Sequence, residues 1–193
     1  MDKAPVFLSA SVPERDLDRF VPDPVAIREA VRALVAETVR DRLLVFGGHP
    51  AISPLVEHAA QTLGAMDQVR IYQSEFFRNV IPEVAKKFPH LVWTPAVPGD
   101  LKASLTAMRE EMIRSSPFAA GIFIGGMDGL FEEWDIFLQE HPGALVLPVA
   151  STEGAARLLW MNWTPSMPLP VPDARERLAR DVQYRQLFND LLR

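Results

Sequence analysis

Three groups of residues in this chain have types and spacings that suit the binding of an anion. Gly125-Gly126-Met127-Asp128-Gly129 follows the apolar run 119–124 and leads into Leu130-Phe131-Glu132-Glu133-Trp134. Glycine admits a positive φ and close approach of a ligand, and the N–H groups at a helix start attract negative charge. Gly47-Gly48-His49 and Ser9-Ala10-Ser11 close two further apolar runs. Two glycine turns and one hydroxyl-bearing turn suit a phosphate or pyrophosphate held by backbone N–H and serine oxygens. The candidate ligand contacts are therefore Ser9, Ser11, Gly47, Gly48, His49, Gly125, Gly126, Met127, Asp128, Gly129 and Glu132.

Several of these side chains have two readings. Glu133 is a general acid/base or a holder of ribose hydroxyls if it faces a cleft. On the surface it is a first-turn glutamate favoured by the helix dipole. Arg109 is a planar fork for phosphate or carboxylate, or a surface residue of an amphipathic helix. Asp128 is an N-cap or a ligand contact, Glu132 a solvated neighbour or a contact, and His49 an exposed turn residue or a contact. Ser9 and Ser11 are phosphate donors or loop caps, and no G-x-S-x-G elbow marks either as a nucleophile. Glu75 and Arg78 line the cleft or form an exposed ion pair. Trp160 and Trp163 stack on a base or are buried beneath the last helix. His58, His90 and His141 lack metal-ligand spacing, so no metal site is expected. Neither glycine stretch is a G-x-G-x-x-G or P-loop sequence.

The elements that must position these residues alternate between strand and helix. Strands are expected at 5–10, 43–46, 69–72, 91–94, 119–124 and 144–149. Helices are expected from Asp23-Pro24 to about Arg40, over 51–63 with Gly64 as stop, and from Asp100 with Leu101, Leu105, Met108 and Met112 on one face. Another starts near Leu130 and buries Leu130, Trp134 and Phe137 or Leu138. Short helices are expected from Ser74 and over 151–159, and a loop over 12–22 carrying Glu14, Arg15 and Asp16. The stretch 160–172, rich in proline and tryptophan, is expected to be irregular. Asp173 and Glu176 form a capping-box pattern before one final helix burying Leu178, Val182, Leu187, Phe188 and Leu191. Alternation of this kind predicts an α/β fold, a doubly wound, mostly parallel Rossmann-like sheet with helices on both faces. One domain over 1–193 is expected. Ligands of such sheets bind beyond the carboxyl ends of the strands, where the candidate turns fall.

Composition narrows the partners. The net charge of -5 and the lack of a Lys/Arg run argue against nucleic acid. With no cysteine, disulfides and thiolate metal sites are excluded. No apolar run approaches the ~20 residues that span a bilayer, and Asp2-Lys3 does not begin a signal peptide. A soluble cytoplasmic protein without a membrane partner is expected, and no cofactor is implied.

Leu44-Val45-Phe46-Gly47-Gly48, Arg109-Glu110-Glu111-Met112 and Gly125–Glu133 together resemble the SLOG superfamily over roughly residues 5–160. That group includes the Lonely Guy phosphoribohydrolases, DprA and nucleotide-sensing domains of bacterial conflict systems. Against the Lonely Guy pattern Pro-Gly-Gly-x-Gly-Thr-x-x-Glu, the pair Gly125-Gly126 matches. With one residue inserted, Gly129 and Glu133 match the third glycine and the catalytic-position glutamate. Arg109 falls at the family's active-site arginine. Ile124 replaces the proline, Leu130 the threonine, and Glu110 the lysine that follows the arginine. The variant turn is more similar to the sensor branch than to the hydrolases. The resemblance implies a nucleotide ligand of the ADP-ribose or NAD-derivative type, with N-glycosidic hydrolysis of nucleoside 5′-monophosphates by Glu133 and Arg109 as the alternative. It also implies a homo-oligomer, a dimer or higher, for which the apolar segment 160–171, outside the resemblance, is a candidate contact.

Overall fold

A computed structural model describes residues 3–12, 21 and 23–193. Of the loop expected over 12–22, Glu14, Arg15 and Asp16 lie outside the described residues. The elements in order are β1 (Lys3–Ser11), α1 (Pro24–Thr38), β2 (Arg42–Gly47), α2 (Ser53–Thr62), β3 (Val69–Ser74) and β4 (His90–Thr94). They continue with α3 (Leu101–Arg114), β5 (Ala120–Gly125), α4 (Asp128–Glu140), β6 (Leu145–Val149), α5 (Gly154–Asn162), α6 (Ala174–Arg180) and α7 (Tyr184–Leu191). The strands form one sheet in the order β4-β3-β2-β1-β5-β6, and every neighbouring pair is parallel. The chain winds outward from β1 to β4, then crosses back to lay β5 on the other flank of β1. The topological switch point is therefore the β1–β5 boundary. This is the doubly wound, Rossmann-like α/β architecture.

Burial follows from composition. All six residues of β5 are buried, as a continuous apolar run between two helical layers requires. Phe7 stacks on Phe137 at 5.4 Å, and Phe123 meets Trp134 edge-on at 4.9 Å. Leu130, Trp134 and Phe137 turn one face of α4 onto this cluster, while Leu138 stays 36% exposed. Gly121 makes the approach possible, since a Cβ there would lie 2.8 Å from the Phe137 ring. Gly121→Ala is expected to push that ring off its rotamer and lower the unfolding free energy by about 1–3 kcal/mol, measured by urea denaturation.

Two helix starts follow their sequence signals. The Asp23 carboxylate accepts from the N–H groups of Val25 and Ala26, and Asp100 accepts from Ala103.

Other expectations need correction. The buried face of α3 is Ser104, Met108, Met112 and Ile113, and Leu101 is 43% exposed. The Ser104 hydroxyl ties into the Val97 and Asp100 backbone carbonyls, which rolls Leu101 outward. From Ser74 there is only a 3-10 turn, Glu75–Phe77, whose start the Ser74 hydroxyl caps. Helix α5 runs on to Asn162, so Trp160 is helical. Its indole N–H donates to the Arg175 carbonyl and the Arg175 guanidinium covers its ring at 4.3 Å, while Trp163 is buried. Trp160 thus ties α5 to α6. Asp173 supplies no side-chain cap to α6. The final helix is in fact two, α6 and α7, broken around Val182, which is 72% exposed. Arg177 bridges the break by pairing with Asp181 and Asp190. Among the described residues, no helix is long and apolar enough to cross a membrane.

Candidate functional site

A cleft of about 460 Å³ opens beyond the carboxyl ends of β1, β2 and β3, against the first turn of α4. Its polar walls are Ser9, Ser11, His49, Ser53, Gln73, Arg109 and Glu133. Its apolar walls include Phe77, Val80, Ile81, Pro82, Leu105, Met108, Met127 and Leu130. Gly47, Gly48 and Gly129 also line it. A shallower groove of about 580 Å³ between α1 and α7 shares no residue with it and holds none of the candidate residues.

The chemistry centres on Arg109, which α3 holds against the start of α4. Its Nη1 donates to Glu132 at 2.5 Å, and its Nε lies 3.4 Å from Glu133 Oε1. Thr106 donates a second hydrogen bond to Glu132. Glu132 is therefore turned toward α3, where it steadies the arginine and is absent from the cleft walls. Gly129 gives the guanidinium its seat, since a Cβ there would lie 2.6 Å from Nη2. Gly129→Ala is expected to displace the arginine head and weaken ligand binding roughly tenfold. It should leave stability within about 1 kcal/mol, because the flexible end of a side chain can move. Titration calorimetry and thermal melting together check both.

Glu133 faces the cleft with 14% of its side chain exposed. Burial pushes its carboxyl above the ordinary carboxylate range, the charge of Arg109 and the nearby Ser9 hydroxyl pull it back, and Glu132 adds a further upward push. Ser9 lies close enough to favour the anion, yet its hydroxyl is buried outside hydrogen-bond geometry with any described group. The Nε of Arg109 is likewise buried without a hydrogen-bond partner. His49 accepts from the Ala51 N–H through Nδ1, and its backbone N–H donates to the Ser53 hydroxyl. Burial lowers its pKa below 6.5, so the ring is neutral at pH 7.

The glycine turn after β5 departs from expectation. Gly125 and Gly126 take positive φ of 58° and 88°. Their N–H groups point away from the cleft, however: Gly125 donates to Thr152 Oγ1 at 2.8 Å and Gly126 to the Ser11 carbonyl at 2.9 Å. Neither residue lines the cleft. Asp128 is not the N-cap either; Met127 holds that position, Asp128 lies in the first turn, and α4 begins without a side-chain cap. Met127 and Gly129 alone of this turn reach the cleft. The Gly48 N–H also serves the sheet, donating to the Tyr72 carbonyl at 2.8 Å. Glu75 and Arg78 form an exposed ion pair and take no part in the cleft. No group of three or more potential metal ligands exists among the described residues.

Sequence reasoning missed Gln73, Ser53 and the apolar lip from Phe77 to Pro82. Gln73 was within reach, as a polar residue near the carboxyl end of a buried strand, one position beyond the register partner of Gly47.

A parallel, doubly wound sheet with glycine turns and an Arg–Glu pair beyond its strand ends defines a Rossmann-like α/β protein. The SLOG cluster3 family profile matches residues 20–192. The chain belongs to that family and so to the SLOG superfamily. Among solved structures it is similar to the X-ray structure of TM1055, a structural genomics target, with a TM-score of 0.60 and 13% identity. The match covers 84% of this chain and 83% of that one. At such low identity the likeness concerns the fold alone. No curated protein matches.

Proposed function

We propose that the cleft binds a nucleotide of the ADP-ribose or NAD-derivative type, and that the protein acts as a sensor of it. One observation carries this reading: the buried Ser9 hydroxyl and Arg109 Nε make no hydrogen bond with any described group, Nε having only the Glu133 carboxylate at 3.4 Å, and both residues line the same cleft as Glu133. Burying a polar group without a partner costs about 1–3 kcal/mol, which a ligand oxygen would offset. Glu133 would accept from ribose hydroxyls. Arg109 and the uncapped start of α4 would take a phosphate oxygen. The cleft walls carry one guanidinium and one carboxylate, so charge alone would not hold a bare phosphate. Apolar walls supply the remainder by burying base and sugar, and the volume falls within the ~300–1,000 Å³ usual for small-molecule sites. Isothermal titration with ADP-ribose, NAD and related nucleotides tests the proposal. Saturable binding of at least one supports it, and no binding at millimolar ligand rejects it.

The raised carboxyl of Glu133 favours one second reading, hydrolysis of an N-glycosidic bond with Glu133 as the acid. Chromatography after incubation with nucleoside 5′-monophosphates separates the two, because a sensor leaves them intact.

A further inference from the structure

Gln73 is a polar group of the cleft to which neither reading assigns a role. It sits near the carboxyl end of β3, only 7% exposed, and its carboxamide makes no hydrogen bond with any described residue. The protein makes room for it at a cost. The glycine at 48 is there for space rather than for an unusual φ, since a Cβ would run into Gln73 Oε1 and approach Ile71 at 3.3 Å. The residues that follow β3 build apolar walls beside this amide: Phe77, Ile81, Pro82 and Ala85 all line the cleft. Apolar cleft walls that include one donor–acceptor amide are complementary to a nucleobase.

We propose that Gln73 reads the hydrogen-bonding edge of the ligand's base, with an adenine as the base it suits best. A glutamine carboxamide pairs bidentately with adenine N6 and N7, one group accepting and the other donating. The placement agrees with the ribose assignment. β3 lies two strands from β1, about 10 Å at ordinary strand spacing, and Ser9 on β1 adjoins Glu133. That separation is the reach of a purine nucleoside laid across the strand ends, with the base over β3 and the sugar at Glu133. The inference rests on the nucleotide reading and adds to it the part of the ligand that is selected.

The test is titration of wild type, Gln73→Ala and Arg109→Ala with ADP-ribose and with ribose 5-phosphate, which has no base. Gln73→Ala is expected to weaken ADP-ribose roughly tenfold or more and to leave ribose 5-phosphate unchanged, whereas Arg109→Ala weakens both. The melting temperature of Gln73→Ala should equal that of wild type, because the amide has no protein partner to abandon. Unchanged affinity of Gln73→Ala for ADP-ribose overturns the assignment, as does an equal loss for both ligands. A wild type that binds neither ligand, nor any other nucleotide, overturns the nucleotide reading itself and the base assignment with it.

Discussion

Arg109→Ala is expected to weaken nucleotide binding by roughly 100-fold and to destabilise the fold by about 3 kcal/mol at neutral pH. Both effects have one source. The guanidinium is the cation that Glu132 and Glu133 share, and it is 14% exposed. Removing it leaves two neighbouring carboxylates facing each other across a partly dry wall. Glu132 is about a third exposed, so water screens part of the repulsion and the cost falls at the low end for a broken buried pair. Glu133, already raised by burial, loses the charge that held it down and rises further. The destabilisation should therefore shrink at acid pH, as the raised carboxyl of Glu133 takes up its proton. Urea denaturation at pH 7 and pH 5 reads the difference, and an equal loss at both would contradict the account. Arg109→Lys should recover part of the stability but little of the affinity, since an ammonium cannot donate from Nε and Nη1 in two directions.

Glu133→Gln is the second large effect, and its two consequences have opposite signs. The neutral amide cannot make charge-assisted bonds to ribose hydroxyls, so affinity should fall by about 10- to 100-fold. Were the protein a hydrolase, turnover would vanish altogether. Stability should move the other way. The folded-state pKa of Glu133 is raised above its unfolded value, so the folded protein binds the extra proton between the two. Its contribution to stability is then fullest below the unfolded carboxylate value, about 4.3, and is lost as pH climbs through the raised folded value. Glutamine removes that loss. The variant should melt higher than wild type at pH 7, by an amount on the order of 1 kcal/mol, and the gap should close toward pH 4. Thermal melts across that range test the sign. A variant less stable than wild type at pH 7 would show that the carboxylate is structural.

Much of this was legible from residue order because the signals are local. The buried run of β5, the caps at Asp23 and Asp100, and the change of period after Gly129 each depend on neighbours a few positions away. The joint placement of Arg109 and Glu133 could be expected because the Arg109–Met112 stretch and, with one residue inserted, the Gly125–Glu133 turn resemble a family pattern. What escaped was set at long range. The N–H directions at Gly125 and Gly126 are decided by Thr152 and by the Ser11 carbonyl, which the sequence separates widely. The amide of Gln73 matters only because β3 ends beside Gly48. The break at Val182 is held by Arg177 reaching to Asp190, so apolar spacing read straight through it.

The turn after β5 is also fastened from below. Thr152 accepts from Gly125, the Ala155 N–H donates to the Gly126 carbonyl, and a Cβ at Gly154 would come within 2.9 Å of the Gly125 and Gly126 backbone. That corner is thus a rivet between the end of β5 and the start of α5. Met127 and Gly129, which do line the hollow, therefore stand on a support that lies behind it and does not depend on what the hollow holds.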